Sequence, residues 1–200
     1  RDLHLSIRRQ RQMCIRDRNN LGGQTSFVAV DKRGGMVACF VTMNQRFGVR
    51  REIRGTGILL GAPPIQSNAI RDLSVGLLIM TRRDKNLFYM TAAARGGAAA
   101  QASVIQAALR AGAGTPDDLD TAVSWKRLFR DPARAVTVVE EGTPTIIIKA
   151  LKRRGHQLKI QKSMGRVNLI FCETGLPAKE PSCGFRSDPR GFGLASVPTS

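Results

Sequence analysis

Two hundred residues suit one domain with a substantial core, and 42% hydrophobic with 24% charged residues is ordinary globular composition. No apolar run approaches the roughly 20 residues that span a bilayer, and no secretory leader is recognised, so no membrane span is expected and the compartment stays open. The net charge of +17 points first to nucleic acid or another polyanion. Against that, Arg and Lys fall in scattered pairs (Arg50-Arg51, Arg82-Arg83, Arg153-Arg154), and only 5% of residues are aromatic. Single-stranded nucleic acids need aromatic platforms on which to stack. A solvated basic surface is the preferred reading, with nucleic acid disfavoured as a partner.

Four cysteines are present, Cys14, Cys39, Cys172 and Cys183, none with CxxC spacing. With only His4 and His156 besides, neither a metal nor a cofactor is expected. Cys172 and Cys183 either close a small disulfide loop or stay as free thiols.

The opening segment Arg1–Arg18 carries six Arg and two Asp and lacks periodicity, glycine and proline. It resembles translated adapter sequence and reads as non-native or disordered; the alternative is a basic arm. Residues 19–200 are left for the fold.

Ser26–Asp31 alternates around Phe27, Val28 and Val30. Lys32-Arg33-Gly34-Gly35 supplies a turn, and Met36–Val41 is a second apolar run, which together predict a hairpin. Thr25 stands before its first strand and Thr42-Met43-Asn44 after its second, so a hydroxyl and polar side chains end up at one end of the pair. The glycines at 55, 57 and 61 do not match GxGxxG, so no dinucleotide site is expected.

Val75–Thr81 and Leu87–Ala92 predict a second hairpin, and Gly96-Gly97 opens an alanine-rich helix over Ala98–Ala111. Glycines at a helix start either bind an anion through backbone N–H groups or serve as a flexible joint. Thr115-Pro116 caps a helix reaching Trp125, and Thr143-Pro144 caps another that runs to Arg154. Val136–Val139, His156–Gln161, Arg166–Phe171 and Gly193–Val197 read as strands. The order predicts an α+β fold whose strands pair as hairpins under helices.

Several pieces in this order are similar to the small, C-terminal subunit of the gamma-glutamyltransferase (gamma-glutamyl transpeptidase) family. They are Thr25…Val30-Asp31, Gly34, Thr42-Met43-Asn44…Phe47-Gly48, Gly55-Thr56-Gly57-Ile58-Leu59-Leu60, Arg71…Leu73-Ser74, Gly96-Gly97 and Ser187-Asp188-Pro189-Arg190. The resemblance implies an N-terminal nucleophile hydrolase fold, of which residues 19–200 supply half of an αββα sandwich of antiparallel sheets flanked by helices. It also implies a large-subunit partner from the same precursor, autocatalytic cleavage before Thr25, and acyl transfer or hydrolysis of gamma-glutamyl or related amides.

By that resemblance Thr25 is the nucleophile, its freed α-amine serving as base. Thr42 is the hydroxyl that positions it, Gly96 and Gly97 form the oxyanion hole, and Asn44 and Ser74 contact the substrate. The sequence also departs from the family. Thr25 lies six positions before Asp31 where the family's nucleophile lies seven before. The second residue of the family's serine pair is Val75, and the acidic residues that follow the Gly-Ile-Leu-Leu stretch are replaced around Pro63–Gln66. These departures leave a divergent amidohydrolase, an inactive homologue acting as a basic binding protein, or a non-functional gene fragment as the alternatives.

Overall fold

The computed structural model describes residues 23–63, 75–131 and 134–197. The Arg1–Arg18 segment and Ser74 lie outside them. The described chain divides into a smaller unit, 23–24 with 42–63, and a larger one, 25–41 with 75–131 and 134–197.

In the smaller unit the chain doubles back on itself. Val49 N–H donates to the Leu60 carbonyl (3.0 Å), Leu60 N–H to Arg51 (2.8 Å) and Ile53 N–H to Ile58 (2.9 Å), around a Glu52–Leu59 bridge. Gly48 has to be glycine: its φ is 56°, and a side chain there would run into the Leu60 carbonyl. Phe47 and Ile58 remain mostly exposed.

The larger unit is built on a four-stranded antiparallel sheet in the order β3-β4-β8-β9, formed by Gly76–Arg82, Leu87–Arg95, Arg166–Leu176 and Cys183–Ser187. Alternation puts Met90, Ala92 and Ala94 of β4 and Val167, Leu169 and Phe171 of β8 on one face. Helix α1 (Ala100–Gly112) lays Ala100, Val104, Ala107, Ala108 and Ala111 on that face. Leu119, Ala122 and Val123 of α2 (Leu119–Ser124) complete the core. Short alanines on both sides let helix and sheet approach closely; a Cβ on Gly76 would sit 2.6 Å from the Ala100 carbonyl oxygen.

The opposite face receives the hairpin of β1 (Gln24–Val30) and β2 (Met36–Thr42). Val30 and Met36 pack on Phe88, Cys172 and Leu176. The Asp31 carboxylate closes the hairpin turn by accepting from the N–H groups of Arg33 and Gly35, both at 2.8 Å. The outer side of the hairpin is apolar and open, with Phe27, Val37 and Val41 each about half exposed. Helices, sheet and hairpin thus form three layers of an α+β fold.

Several expectations change. β4 runs on to Arg95 because Ala93 and Ala94 are fully buried between the layers. The helix after Gly96 begins as a 3-10 turn, Gly97–Ala99, and Thr115 caps a 3-10 turn, Pro116–Asp118, before α2. Strands β5 (Leu128–Asp131) and β9 were not expected: one is four residues with two charges, and the other carries Gly184 in its interior.

Pairing only as hairpins also fails. β5, β6 (Val136–Glu140) and β7 (Leu158–Gln161) form a third sheet in which β6 and β7 run parallel. Helix α3 (Thr145–Arg153) supplies the crossover that a parallel pair requires. Gly193–Val197 forms no strand; β9 already occupies the sheet edge, and Phe192 and Leu194 stand in solvent.

The open question about the cysteines is resolved. Cys172 and Cys183 face each other across β8 and β9 and form a disulfide, while Cys39 is free. Among the described residues no helix is long and apolar enough to cross a membrane.

Candidate functional site

Thr25 is the second residue of β1, exposed, with buried Gln24 before it in an unbroken chain. Its hydroxyl makes no hydrogen bond to a described residue. What fixes its place is the next residue. Ser26 is buried; its hydroxyl donates to the Ala93 carbonyl (3.3 Å), and its own carbonyl accepts from Asn168 Nδ2 (2.7 Å). Asn168 lies opposite Ala93 on one side and Ser187 on the other, and the Ser187 hydroxyl donates to Asn168 Oδ1 (3.0 Å). A polar row across β4, β8 and β9 therefore seats the start of β1, and alternation along β1 turns Thr25 to the opposite, outward side.

β4 continues from Ala93 through Arg95 into Gly96-Gly97. Their φ values of 128° and 64° favour glycine, and a Cβ on Gly96 would lie 2.7 Å from Gly165 Cα. Backbone thus meets backbone where β4 ends and β8 begins. Gly97 is buried and Gly96 is exposed. These two glycines and Thr25 belong to the larger unit, and the Ser26–Ala93 bond ties their strands together.

Thr42 and Asn44 belong to the smaller unit. The Thr42 hydroxyl accepts from Asn44 N–H at 3.0 Å, and Asn44, with φ of 59°, donates its side-chain amide to the Ala62 carbonyl at 2.6 Å. The Asn44 nitrogen is therefore engaged within its own loop, while the amide oxygen makes no hydrogen bond to a described residue. Ser74 lies outside the described residues. Two shallow clefts, about 440 Å³ beside Trp125 and about 550 Å³ beside Arg82 and Tyr89, include neither Thr25 nor Gly96 in their walls.

A buried charge cluster holds the start of β8. Arg127 donates to Asp188 (2.5 Å), to the Met164 carbonyl (2.8 Å) and to the Val123 carbonyl (2.8 Å). Asp188 accepts Val167 N–H at 2.9 Å, so the pair grips β8 on either side of Gly165. Arg190 joins Asp188 (3.1 Å) to Glu140 (2.5 Å), and Glu140 also accepts the N–H groups of Arg127 and Met164, both at 3.0 Å. Asp188 and Glu140 are almost wholly buried, yet every oxygen has a donor, the condition under which buried charge is tolerated.

Burial alone pushes Glu140 upward in pKa, but the hydrogen bonds from Arg190, Arg127 and Met164 and the charge of Arg190 outweigh it and leave it below its ordinary value. Burial likewise lowers Arg190, but Glu140 and Asp188 outweigh it and raise the pKa. Burial does lower Arg127, and the Asp188 charge offsets this only in part.

The sequence pointed to the stretch Ser187–Arg190 but not to its partners. Arg127 follows α2 and Glu140 ends β6, and no local spacing connects either to the other or to Asp188. Asn168 was missed as well, since alternation along β8 marks its face but not its neighbour across the layers.

No protein-family model matches the sequence, and no curated protein matches it. Solved structures do match the fold. A gamma-glutamyltranspeptidase from Helicobacter pylori superposes at a TM-score of 0.63 with 22% identity, over 84% of this chain and 100% of the matched chain. One from Pseudomonas nitroreducens, complexed with L-DON, gives 0.61 and 21%, over 88% and 100%. The Bacillus anthracis transpeptidase enzyme CapD gives 0.62 and 17%, over 87% and 99%. At these identities the likeness is one of fold, and it agrees with the resemblance read from the order of the sequence pieces.

Proposed function

We propose that this chain is the small-subunit half of a gamma-glutamyltranspeptidase-like amidohydrolase, in which Thr25, released as an N-terminal residue, is the nucleophile. The observation that carries the reading is the seating of Ser26 on Ala93 and Asn168. It places the residue after Thr25 on the strand that leads three positions later into Gly96-Gly97. The likeness in fold to the transpeptidases supports it.

In the proposed reaction the Thr25 hydroxyl gives its proton to the freed α-amine and attacks the amide carbonyl. The N–H groups of Gly96 and Gly97 stabilise the oxyanion, for which losing one donor typically costs about 10²–10³ in rate. The leaving amine takes the proton from the α-ammonium. Water or an acceptor amine then releases the acyl group from Thr25. Cleavage before Thr25 must come first, because a threonine inside the chain has no free amine to act as its base.

In this reading Thr42 positions the hydroxyl, and Asn44 and Ser74 contact the substrate. The partner is the large subunit of the same precursor, and the half-exposed Phe27, Val37 and Val41 offer it an apolar surface.

Expression of the complete reading frame tests this. Mass spectrometry is expected to find a new N-terminus at Thr25, together with hydrolysis of a gamma-glutamyl anilide. Thr25→Ala should abolish both and leave the unfolding midpoint unchanged, since the side chain is exposed. Uncut precursor without hydrolysis overturns the reading.

A further inference from the structure

Beyond the scattered arginine pairs, the positive charge has one long acid-free stretch. Residues 142–172 hold seven Lys and Arg and no Asp or Glu. They include α3, the turn after it, β7 and the first part of β8. Arg166 is engaged on the Arg190 carbonyl at 2.7 Å. The other six are Lys149, Lys152, Arg153, Arg154, Lys159 and Lys162. All are exposed, and their side chains bond to no described residue. The acids that pair with arginines lie elsewhere: Asp188 and Glu140 in the buried cluster, Asp120 on Arg186 and Asp131 on Arg134.

Local structure accounts for only part of this charge. Lys152 and Arg153 sit in the last turn of α3, where the helix dipole favours cations. Gly155 closes that turn, with its N–H on the Lys152 carbonyl (2.9 Å) and the His156 N–H on the Leu151 carbonyl (3.1 Å). Lys159 guards the free edge of β7 against pairing with another strand. Lys149 and Lys162 have neither reason. Lys149 even stands four positions before Arg153, a like-charge spacing that weakens a helix.

Exposed apolar side chains are interleaved with these cations. Ile146, Lys149 and Arg153 are three and four positions apart, on one face of α3, and Ile146 is 74% exposed. The other side of the helix carries Ile147, Ile148 and Leu151, which are partly buried. On β7 the exposed Ile160 follows Lys159. Trp125 stands beside the entrance to α3, lining one cleft with Lys126, Gly142 and Pro144, the residue at the helix N-cap. The Arg110 guanidinium lies 3.9 Å from the centre of its ring and holds it in place, yet the side chain stays 39% exposed.

A nucleic-acid backbone would use the cations and leave the isoleucines in water. A lipid surface uses both, since its phosphates meet Lys and Arg while apolar side chains and an indole enter the interfacial layer. We infer that α3, β7 and Trp125 form a docking face for an anionic lipid surface, on which the protein lies without crossing it. None of these residues takes part in the proposed reaction, so the face stands or falls apart from it.

Co-sedimentation of the full chain with vesicles of phosphatidylglycerol and phosphatidylcholine tests the face. Binding is expected with these anionic vesicles, is expected to fall as salt is added, and should be absent with phosphatidylcholine alone. Each cation near such a surface contributes about fivefold in affinity, so Lys149→Gln combined with Arg153→Gln should weaken binding roughly twentyfold. Arg83→Gln with Lys85→Gln removes the same charge at the exposed β3–β4 turn and should leave binding nearly unchanged. Ile146→Ser should weaken vesicle binding. The substituted side chains are exposed, and melting midpoints should not move. Trp125 is the sole tryptophan, so its emission reports on this face. It should shift to the blue with anionic vesicles and be quenched by brominated acyl chains. Equal binding to neutral vesicles, equal weakening in the Arg83 and Lys85 variant, or unshifted emission from a vesicle-bound chain overturns the face. So does a chain that binds duplex DNA but not the vesicles, which would make nucleic acid the partner.

Discussion

The two faces of the four-stranded sheet are made by the same strands and have opposite characters. The helix side is uniform: Met90, Ala92, Ala94, Val167, Leu169 and Phe171, each at most 1% exposed, under α1 and α2. The hairpin side is graded. At one end it is apolar, with Phe88, Leu176 and the Cys172–Cys183 disulfide. At the other end it turns polar, through Ala93, Asn168 and Ser187, and then cationic at Arg95 and Arg166. Stability and chemistry are thus separated by the pleat of the strand: alternate residues of β4 and β8 serve one or the other. This explains how Thr25 and Gly96 can stand at an open surface while the residues next to them in sequence are fixed.

That separation predicts different outcomes for substitutions on each side. On the helix side Phe171→Ala removes a ring that is 1% exposed and stacks edge-on with Tyr89 at 5.1 Å. It should cost about 3–5 kcal/mol in urea unfolding. Hydrolysis of a gamma-glutamyl anilide by the molecules that stay folded should be unchanged; a loss as large as in Thr25→Ala would mean the faces are not independent.

The charge cluster lies at the cationic end, and acid is its test. Glu140 ionises below its ordinary value of 4.5 in the fold. As pH falls through 4.5 the unfolded chain takes up the proton first, so stability present above that pH is lost until the folded pKa is passed. A single proton accounts for at most about 1.4 kcal/mol per pH unit. Unfolding curves from pH 6 to 3 should show this slope, and Glu140→Gln should flatten it by one proton. An unaltered slope would mean that other carboxylates dominate.

A smaller effect is expected at Thr115, whose side chain and N–H share the Asp118 carboxylate, both at 2.9 Å. These bonds, first the backbone one and then the hydroxyl, hold the exposed Asp118 below its usual pKa. Thr115→Ala should cost about 1 kcal/mol and leave both faces of the sheet untouched. Altered hydrolysis in that variant would connect the cap of α2 to the hairpin side of the sheet.

Local chemistry made much of this legible in advance. The hairpin at β1 and β2 followed from alternation around a glycine turn, α1 from its alanine run, and the capped start before α2 from Thr115-Pro116. The order of short pieces around Thr25, Asn44 and Gly96-Gly97 carried the family resemblance, and the fold agrees with it. The parallel pairing of β6 with β7 was not legible, because the same apolar runs suit either direction of pairing. Nor was β9, whose Gly184 weakens it as a strand and is needed against Leu119 and Pro116.

What the sequence by itself determined is therefore the set of local elements and the identity of the chemical groups: a threonine at a strand start, two glycines before a helix, and arginines in pairs. Tertiary structure alone decided which of those groups meet. Asn168 reaches Ser26 over 142 positions, and Arg127 reaches Asp188 over 61. Hydrogen bonds and ion pairs depend on distance in space, which the spacing of residues along the chain encodes only within a helix turn or across a tight hairpin. Arg95 and Arg166 come together for the same reason: their apposition follows from the β4–β8 register, which burial of Ala92, Ala94, Val167 and Leu169 under α1 holds in place.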